Sequence, residues 1–362
     1  MGTRGCTRQD GGFVIIVLLV FMLVAICAFG GLAIDVGKLY VVKSQLRNAA
    51  DSAALAGAGN LYPSSSVTSP NWGNYTSALN VLRQNKAAGE LLQSGDVQYG
   101  WWNLATNSWE VGSPVSGGVV PLLNRQGYCS EPPQGPCTPT SACPAGAVCI
   151  FTNLAAGVTA TVSKSAGING GPVPAPFAGV LGSKAFEVGM ANTPSTAVIG
   201  PTGGVPSGVY PFAITKDTAD YWAGRLNQPA YLDLINHGAD PYRGQWATFD
   251  GTNNVPVIDK LLAASKTALS IGVDKVHIAS GEKAALFDDV KINADVLLPV
   301  VATDHFNYNG DPVLTGFIGF HIDSVDTPNF RMRGSFIRLK APPGSHAGGP
   351  SYGVISYPYL VQ

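Results

Sequence analysis

Residues 13–34 read FVIIVLLVFMLVAICAFGGLAI, twenty-two positions without a charge, and residues 35–58 follow without a break as DVGKLYVVKSQLRNAADSAALAGA. At about 1.5 Å of rise per residue the first stretch makes roughly 33 Å of helix, enough to cross a hydrocarbon core of about 30 Å. Lipid offers no partner for a bare N–H or C=O, so a helix is the form that satisfies this backbone. Gly30 and Gly31 weaken a helix in water by about 1 kcal/mol each, but membrane helices tolerate them. Asp35 closes the span. A cleaved signal peptide has an apolar run of about 7–15 residues. The run here is longer, although Ala25 to Ala28 offers a small-x-small site. Lipid attachment at Cys27 wants a small residue just before the cysteine, and Ile26 stands there. The segment reads as an uncleaved transmembrane anchor.

Arg4, Arg8 and the amino terminus precede the span, and Lys38, Lys43 and Arg47 follow it, so the positive charges are balanced and do not orient it. Bulk does: twelve residues lie before the span and more than three hundred after it, with a cysteine cluster suited to an oxidising compartment. The expected arrangement is a cytoplasmic tail at 1–12, a transmembrane helix at 13–34 and a stalk helix at 35–60, with the bulk extracytoplasmic, in the periplasm or at the cell surface. In the stalk, Leu39, Val42, Leu46, Ala49, Ala53 and Ala56 recur at steps of three and four and share one face. Lys43, Arg47 and Asp51 sit four apart on another. The stripe narrows from Leu to Ala, which lets another backbone approach closely, either the chain's own domain or a neighbouring subunit.

Residues 33–58 resemble the N-terminal module of TadE-like and TadG-like proteins of the Tad (Flp) pilus-assembly system. The resemblance is carried by Asp35-x-Gly37 just past the membrane, by Leu39-Tyr40, and by QLRNAADSAALAG at 45–57. Further on, VTATVS, PFAGVLG and GVYPFAI within residues 158–214 are similar to TadG-like extracellular regions. The resemblance implies a membrane-anchored, non-enzymatic component of a pilus or secretion apparatus, with pilin-like or other assembly subunits as partners. It makes Asp35, Gly37 and the stripe the helix-packing and assembly residues. Prepilin cleavage between Gly12 and Phe13 would place Glu at the fifth position after the cut, where this chain has Val17.

Only 12 % of the 362 residues are charged, about half the share of a soluble domain, and the net charge is −1. Nucleic-acid binding needs clustered Lys and Arg, and no basic run is present. Cys6 and Cys27 lie before and within the span, whereas Cys129, Cys137, Cys143 and Cys149 fall inside 21 residues. The cluster reads as two disulfides with three connectivities open. Zinc is the rival, but spacings of 8, 6 and 6 contain no C-x-x-C pair and no His lies nearby.

Beyond the stalk, LYPSSSVTSPNWG (61–73) breaks the helix. A second helix is expected over 75–93, then an aromatic hairpin at 97–103 and 108–111. A Pro/Gly/Cys-rich surface insertion spans 114–146, held by its disulfides. Strands follow at 147–152, 158–163 and 185–199, with a short turn or helix at 176–182. Residues 205–208 punctuate the chain and divide an α+β region at 61–204 from a second at 205–362. In the second, helices are expected at 217–226, capped by Asp217 or Thr218, and at 256–270. Strands are expected at 209–215, 275–279, 296–302, 314–325, 330–339 and 352–361, with 316–325 and 330–339 a hairpin about Asp-Thr-Pro-Asn. The fold class is α+β: a long N-terminal helix followed by mainly antiparallel sheet.

Nothing constitutes a catalytic site. The five histidines (237, 277, 305, 321 and 346) form no H-E-x-x-H, and no G-x-S-x-G elbow, P-loop or dinucleotide fingerprint is present. Asp304-His305 with Asp311 reads as a polar loop before it reads as a metal or acid/base site. Asp288-Asp289 and Asp323 with Asp326 offer carboxylates to calcium but no EF loop, and the Asp-x-Ser-x-Ser turn of adhesion domains is missing. No cofactor, metal or small-molecule substrate is expected. Two other readings use the same anchor: a tethered adhesin whose Trp101, Trp102 and Trp109 stack on sugars, and a tethered hydrolase whose scattered Asp and His converge in space.

Overall fold

In a computed structural model the helix α1 runs Asp10–Gly59 as one unbroken element of 50 residues, about 75 Å long. No proline interrupts residues 10–59. The helix stops where its last carbonyls find partners: Asn60 Nδ2 donates to Ala56 O at 2.8 Å and Leu61 N to Ala58 O at 3.1 Å. Thirteen large apolar side chains from Val14 to Ile34 are at least 55 % exposed. Among the described residues α1 is the one helix long and apolar enough to cross a membrane. The structure describes residues 10–63, 70–117, 120, 127–129, 136–137, 149–150, 153–180, 186–234, 242–251, 256, 258, 262, 267–279, 284–303, 306 and 311–361. They are mixed α+β, with mostly antiparallel strands after the long helix.

The chain forms two compact units, one from Met1–Ser52, Asn80–Asp96 and Thr161–Pro194, the other from Ala53–Leu79, Val97–Ala160 and Ser195–Gln362. In the first, Val42, Leu46, Ala49 and Ala50 of α1 are buried, as are Leu82, Leu92, Val162 and Val173. Asn169 is the polar hub. Its Oδ1 accepts from the backbone N–H of Gln93 (2.8 Å) and Ser94 (3.0 Å). Its Nδ2 donates to the carbonyls of Ser94 (2.9 Å) and Ser163 (2.7 Å). The buried Lys164 ammonium donates to the Asn169 carbonyl. With φ at +51°, the position also suits Asn better than most side chains.

The second unit holds a seven-stranded sheet in the order Pro229–Asp233, Arg331–Ile337, Leu314–Asp326, Ala294–Val301, Phe212–Thr215, Gly244–Thr248, His277–Ile278. Its pairs are antiparallel except Phe212–Thr215 with Ala294–Val301, which is parallel. Both faces are covered at the centre, where every residue of Phe212–Thr215 and Gly244–Thr248 is buried, whereas Arg331–Ile337 alternates between buried and more open positions. One face carries Phe212, Trp246, Phe320 and Phe336. Helix α4 (Lys216–Ala223) packs on these strands, with Trp222 stacked on Phe336 at 5.1 Å. The opposite face carries Ala213, Ala247, Leu297, Val301 and Phe317. In the same unit Thr196–Val198 pairs antiparallel with Tyr359–Val361, and Trp102–Asn103 with Ser108–Trp109.

Several expectations change in detail. The helix expected over 75–93 is shorter: α2 spans Thr76–Gln84. Asn85 turns back on it, its N–H donating to Leu82 O and its Nδ2 to Val81 O. Ala88 (φ +55°) and Gly89 (φ +87°) then make a two-residue turn between Lys86–Ala87 and Glu90–Leu91. The α4 cap is Thr215, whose side chain accepts from Thr218 N at 3.2 Å, not Asp217 or Thr218. In the helix expected over 256–270, Pro256, Ile258 and Leu262 are helical, but Leu269–Ser270 is a strand. Thr267 and Ala268 have no regular structure, and the rest of that stretch, with residues 147–148 and 151–152 of an expected strand, lies outside the described residues. The hairpin joins Leu314–Asp326 to Arg331–Ile337 through a turn at Thr327–Asn329.

Asn169→Ala removes four side-chain hydrogen bonds from a buried site. It is expected to lower stability by about 2–4 kcal/mol, seen as a drop in the unfolding midpoint of the purified protein. A drop below about 0.5 kcal/mol would show that Asn169 does not hold this unit together.

Candidate anchor and assembly site

Burial along α1 changes character at Gly31. Residues 18–27 and 29–30 are exposed on all sides, whereas Gly31, Asp35, Val42, Leu46, Ala49 and Ala50 are buried along one face. At Gly31 a Cβ would lie 2.8 Å from the Phe177 side chain, so only glycine leaves room for that ring. One turn on, Asp35 is 3 % exposed, and its Oδ2 accepts from Ala178 N at 2.7 Å. Three residues further, Lys38 Nζ donates to Pro174 O at 3.1 Å. Higher still, Gln45 Oε1 accepts from Ala88 N at 2.9 Å.

The Asp35 contact explains a short helix. In α3 (Pro176–Val180) Pro176 stands at the first position, where its missing N–H costs nothing. The preceding Ala175 has no side-chain oxygen to cap the free N–H groups. Asp35, 143 residues away in sequence, supplies that oxygen. The carboxylate expected to face the membrane surface thus turns into the chain's own fold.

Of the other helix residues, Val42, Leu46, Ala49 and Ala53 are buried by the chain itself. Leu39 and Ala56 are half-buried. Gly37 is exposed, with nothing within 4 Å of a Cβ built there, beside exposed Val36, Tyr40 and Val41. Sequence reasoning missed Phe177, Ala178 and Pro174. The signal was PFAGVLG, present in the text but without a partner until the fold brought α1 to it.

The remaining candidates fall elsewhere. Trp102 is 6 % exposed and packs edge-on against Trp109 in a cluster with Ala155 and Val198. Trp101 lies with Trp72, which stacks on Tyr99. The three tryptophans therefore do not make one exposed platform. Asp304 and His305 lie outside the described residues, and Asp311 pairs with His277 at 2.5 Å. His321 meets Asp295 (2.6 Å) and Asp323 (3.4 Å), while Asp326 accepts from Asn329 and Arg333. Among the described residues no group of three or more His, Cys, Asp or Glu is placed to hold a metal. A cleft of about 400 Å³ is lined by Lys216, Thr315 and Tyr352 among others, with no Asp or His on its wall. Behind it, Asp220 is fully buried, paired with Lys216 and accepting from Tyr352 Oη at 2.8 Å. Burial pushes the Asp220 carboxyl above the usual range, against the pull of Lys216 and Tyr352. Tyr352 ties α4 to the rest of the unit, and Lys216, on α4 itself, balances the charge from one turn earlier, which is a structural use of the charge.

Cys27 is a free, exposed thiol. In the cysteine cluster, Cys129 is buried, and Gly127–Cys129 pairs with Pro136–Cys137 and Cys149–Ile150 so that Cys129 faces Cys149 and Gly127 faces Cys137. Cys6 and Cys143, and the side chains of Cys137 and Cys149, lie outside the described residues.

Residues 11–60 match a family model described as Flp pilus-assembly TadE/G-like, a segment that coincides with α1. Residues 158–214 lie outside the match. No curated protein and no solved structure matches the chain.

Asp35→Ala leaves the Ala178 N–H without its charged acceptor, a loss of about 1.5–3 kcal/mol locally. Hydrogen exchange at Ala178 in the detergent-solubilised protein is expected to quicken at least tenfold, whereas Asp35→Asn, which keeps an acceptor oxygen, is expected to stay nearer the parent. Equal exchange in all three proteins would show that the contact is not made.

Proposed function

We propose that this chain, whose N-terminal helix is a TadE/G-like module, is a non-enzymatic, single-pass membrane component of a Flp-type pilus-assembly or secretion apparatus. The coincidence of the matched segment 11–60 with the 50-residue α1 carries the reading. The N-terminal tail lies in the cytoplasm, residues 13–34 cross the membrane and the remainder is extracytoplasmic, in the periplasm or at the cell surface. Pilin-like or other assembly subunits are the partners. Asp35, Leu39, Val42, Leu46, Ala49, Ala53 and Ala56 act by packing α1 onto its own fold. Gly37, open and flanked by Val36, Tyr40 and Val41, is the position of the set free to receive a partner helix.

Deleting the gene in its own host is expected to abolish Flp-type pili in electron micrographs. The full chain restores them, and a chain lacking residues 13–34 does not. Normal piliation of the deletion strain would overturn the proposal.

The extracytoplasmic reading implies that the four clustered cysteines are oxidised. The bonded state of Cys129 and its position opposite Cys149 support the pairing Cys129–Cys149, which leaves Cys137 for Cys143. Peptide mapping without reductant is expected to recover those two linked pairs. Linkage of Cys129 to Cys137 or Cys143, or four free thiols, would reject the pairing.

A further inference from the structure

Residues 171–182, GPVPAPFAGVLG, contain no side chain that can make a hydrogen bond or carry a charge. Such a stretch beside water is uncommon in a chain of secreted type, and here Pro174, Pro176 and Phe177 are all exposed, Phe177 by 44 %. Their height along α1 is fixed by three contacts on one helix face. Phe177 fills the space at Gly31, Ala178 is held by Asp35, and Pro174 is held by Lys38. Gly31 lies inside the apolar run, three residues or about 4.5 Å short of its end at Ile34.

The exposed surface of α1 also stays apolar beyond Ile34. Val36 is 42 %, Tyr40 70 % and Val41 57 % exposed, while the intervening Asp35 is buried and Lys38 reaches the Pro174 carbonyl. A hydrocarbon core of about 30 Å takes about 20 residues and its headgroup zones bring the total to about 40–45 Å. The stretch Val14–Val41 fills that whole thickness, with Tyr40 at the level where membrane helices place aromatic rings. Gly31, nine residues or about 14 Å below Tyr40, is then several ångströms inside the acyl-chain region, since each headgroup zone is only about 5–7 Å deep.

We propose that Pro174–Ala178 is a second membrane contact of this protein: an apolar foot whose Phe177 sits among the outer acyl-chain segments, below the headgroups, in the leaflet where the span ends. The inference rests on the membrane-anchor reading of α1. Its partner is the phospholipid bilayer itself, recognised through apolar surface and without a headgroup-charge preference, since the foot is uncharged. The first unit is thereby seated in the lipid surface by two elements, the anchor and the foot, rather than held clear of it on a bare stalk.

The test places the photo-reactive phenylalanine analogue benzoyl-phenylalanine in the full chain, in phosphatidylcholine nanodiscs containing lipid with alkyne-tagged acyl chains. Three positions in the same unit are compared: Val20 in the anchor, Phe177 in the foot, and Leu91. Leu91 is equally exposed (45 %) but follows Ala88, which is tied to Gln45, fourteen residues or about 21 Å above Gly31. Lipid cross-linking is expected at Val20 and Phe177, and at least about tenfold less at Leu91. Labelling at Val20 but only background at Phe177 overturns the foot and leaves the anchor standing, as does cross-linking of Phe177 to a second copy of the chain. Equal labelling at Phe177 and Leu91 also overturns it, and failure at Val20 removes the anchor reading itself. The analogue at exposed Pro176, which leaves the Phe177 ring over Gly31 in place, repeats the measurement should the change at Phe177 disturb packing.

Discussion

The constraint on which this structure turns is the exposed apolar surface of α1. Thirteen large side chains standing at least 55 % open in water would cost on the order of 20 kcal/mol, more than a domain's whole net stability. Among the described residues no packing relieves that cost, because burial begins only at Gly31. A helix apolar all round needs an apolar surrounding, either a protein core or lipid. From Gly31 on, one face is buried in the fold, the other stays largely apolar as far as Val41 and turns polar beyond it, and the buried side chains shrink as the packing tightens.

That shrinkage has a local cause. Ala49, Ala50, Ala53 and Ala54 are fully buried, and a Cβ at Gly57 would lie 2.8 Å from Val158 and 3.1 Å from Ala78. Small residues here answer to the chain's own close approach, so the alanine run by itself identifies no partner. The open positions of the helix, Gly37 among them, are where a partner has room.

Local periodicity made much of this legible in advance. The twenty-two apolar residues, the 3–4 spacing of Leu39 to Ala56 and the Asp-Thr-Pro-Asn hairpin each carry their structure in neighbours close along the chain. Failures came where distant residues decide. KAAGE reads as helix by propensity, yet Gln45, 43 residues earlier, holds the Ala88 N–H in a turn whose positive φ at Ala88 and Gly89 reverses the chain within two residues. Asp35 looks like the polar end of a span, and its partner Ala178 is a backbone group with no sequence signature, 143 positions away. Trp102 alternates with Trp101 on one strand, and only the sheet determines which ring goes inside. Strand order is likewise invisible locally: the parallel pairing of Phe212–Thr215 with Ala294–Val301 joins segments about eighty residues apart.

Asp35 ties these two regimes together. A carboxylate beside an apolar span is expensive unless donors surround it, because the low dielectric strengthens whatever bond it makes and penalises whatever it lacks. Placed four residues after Gly31, it stands on the same helix face, so the ring over the glycine and the amide over the carboxylate come from consecutive residues, Phe177 and Ala178. Glycine admits the ring and the ring excludes water. The excluded water in turn gives the Asp35–Ala178 hydrogen bond its strength. The depth of the fold along α1 is therefore set by the contacts at Gly31, Asp35 and Lys38 rather than by the length of the apolar run, and moving those three positions one turn would shift the first unit by about 5.4 Å relative to the span.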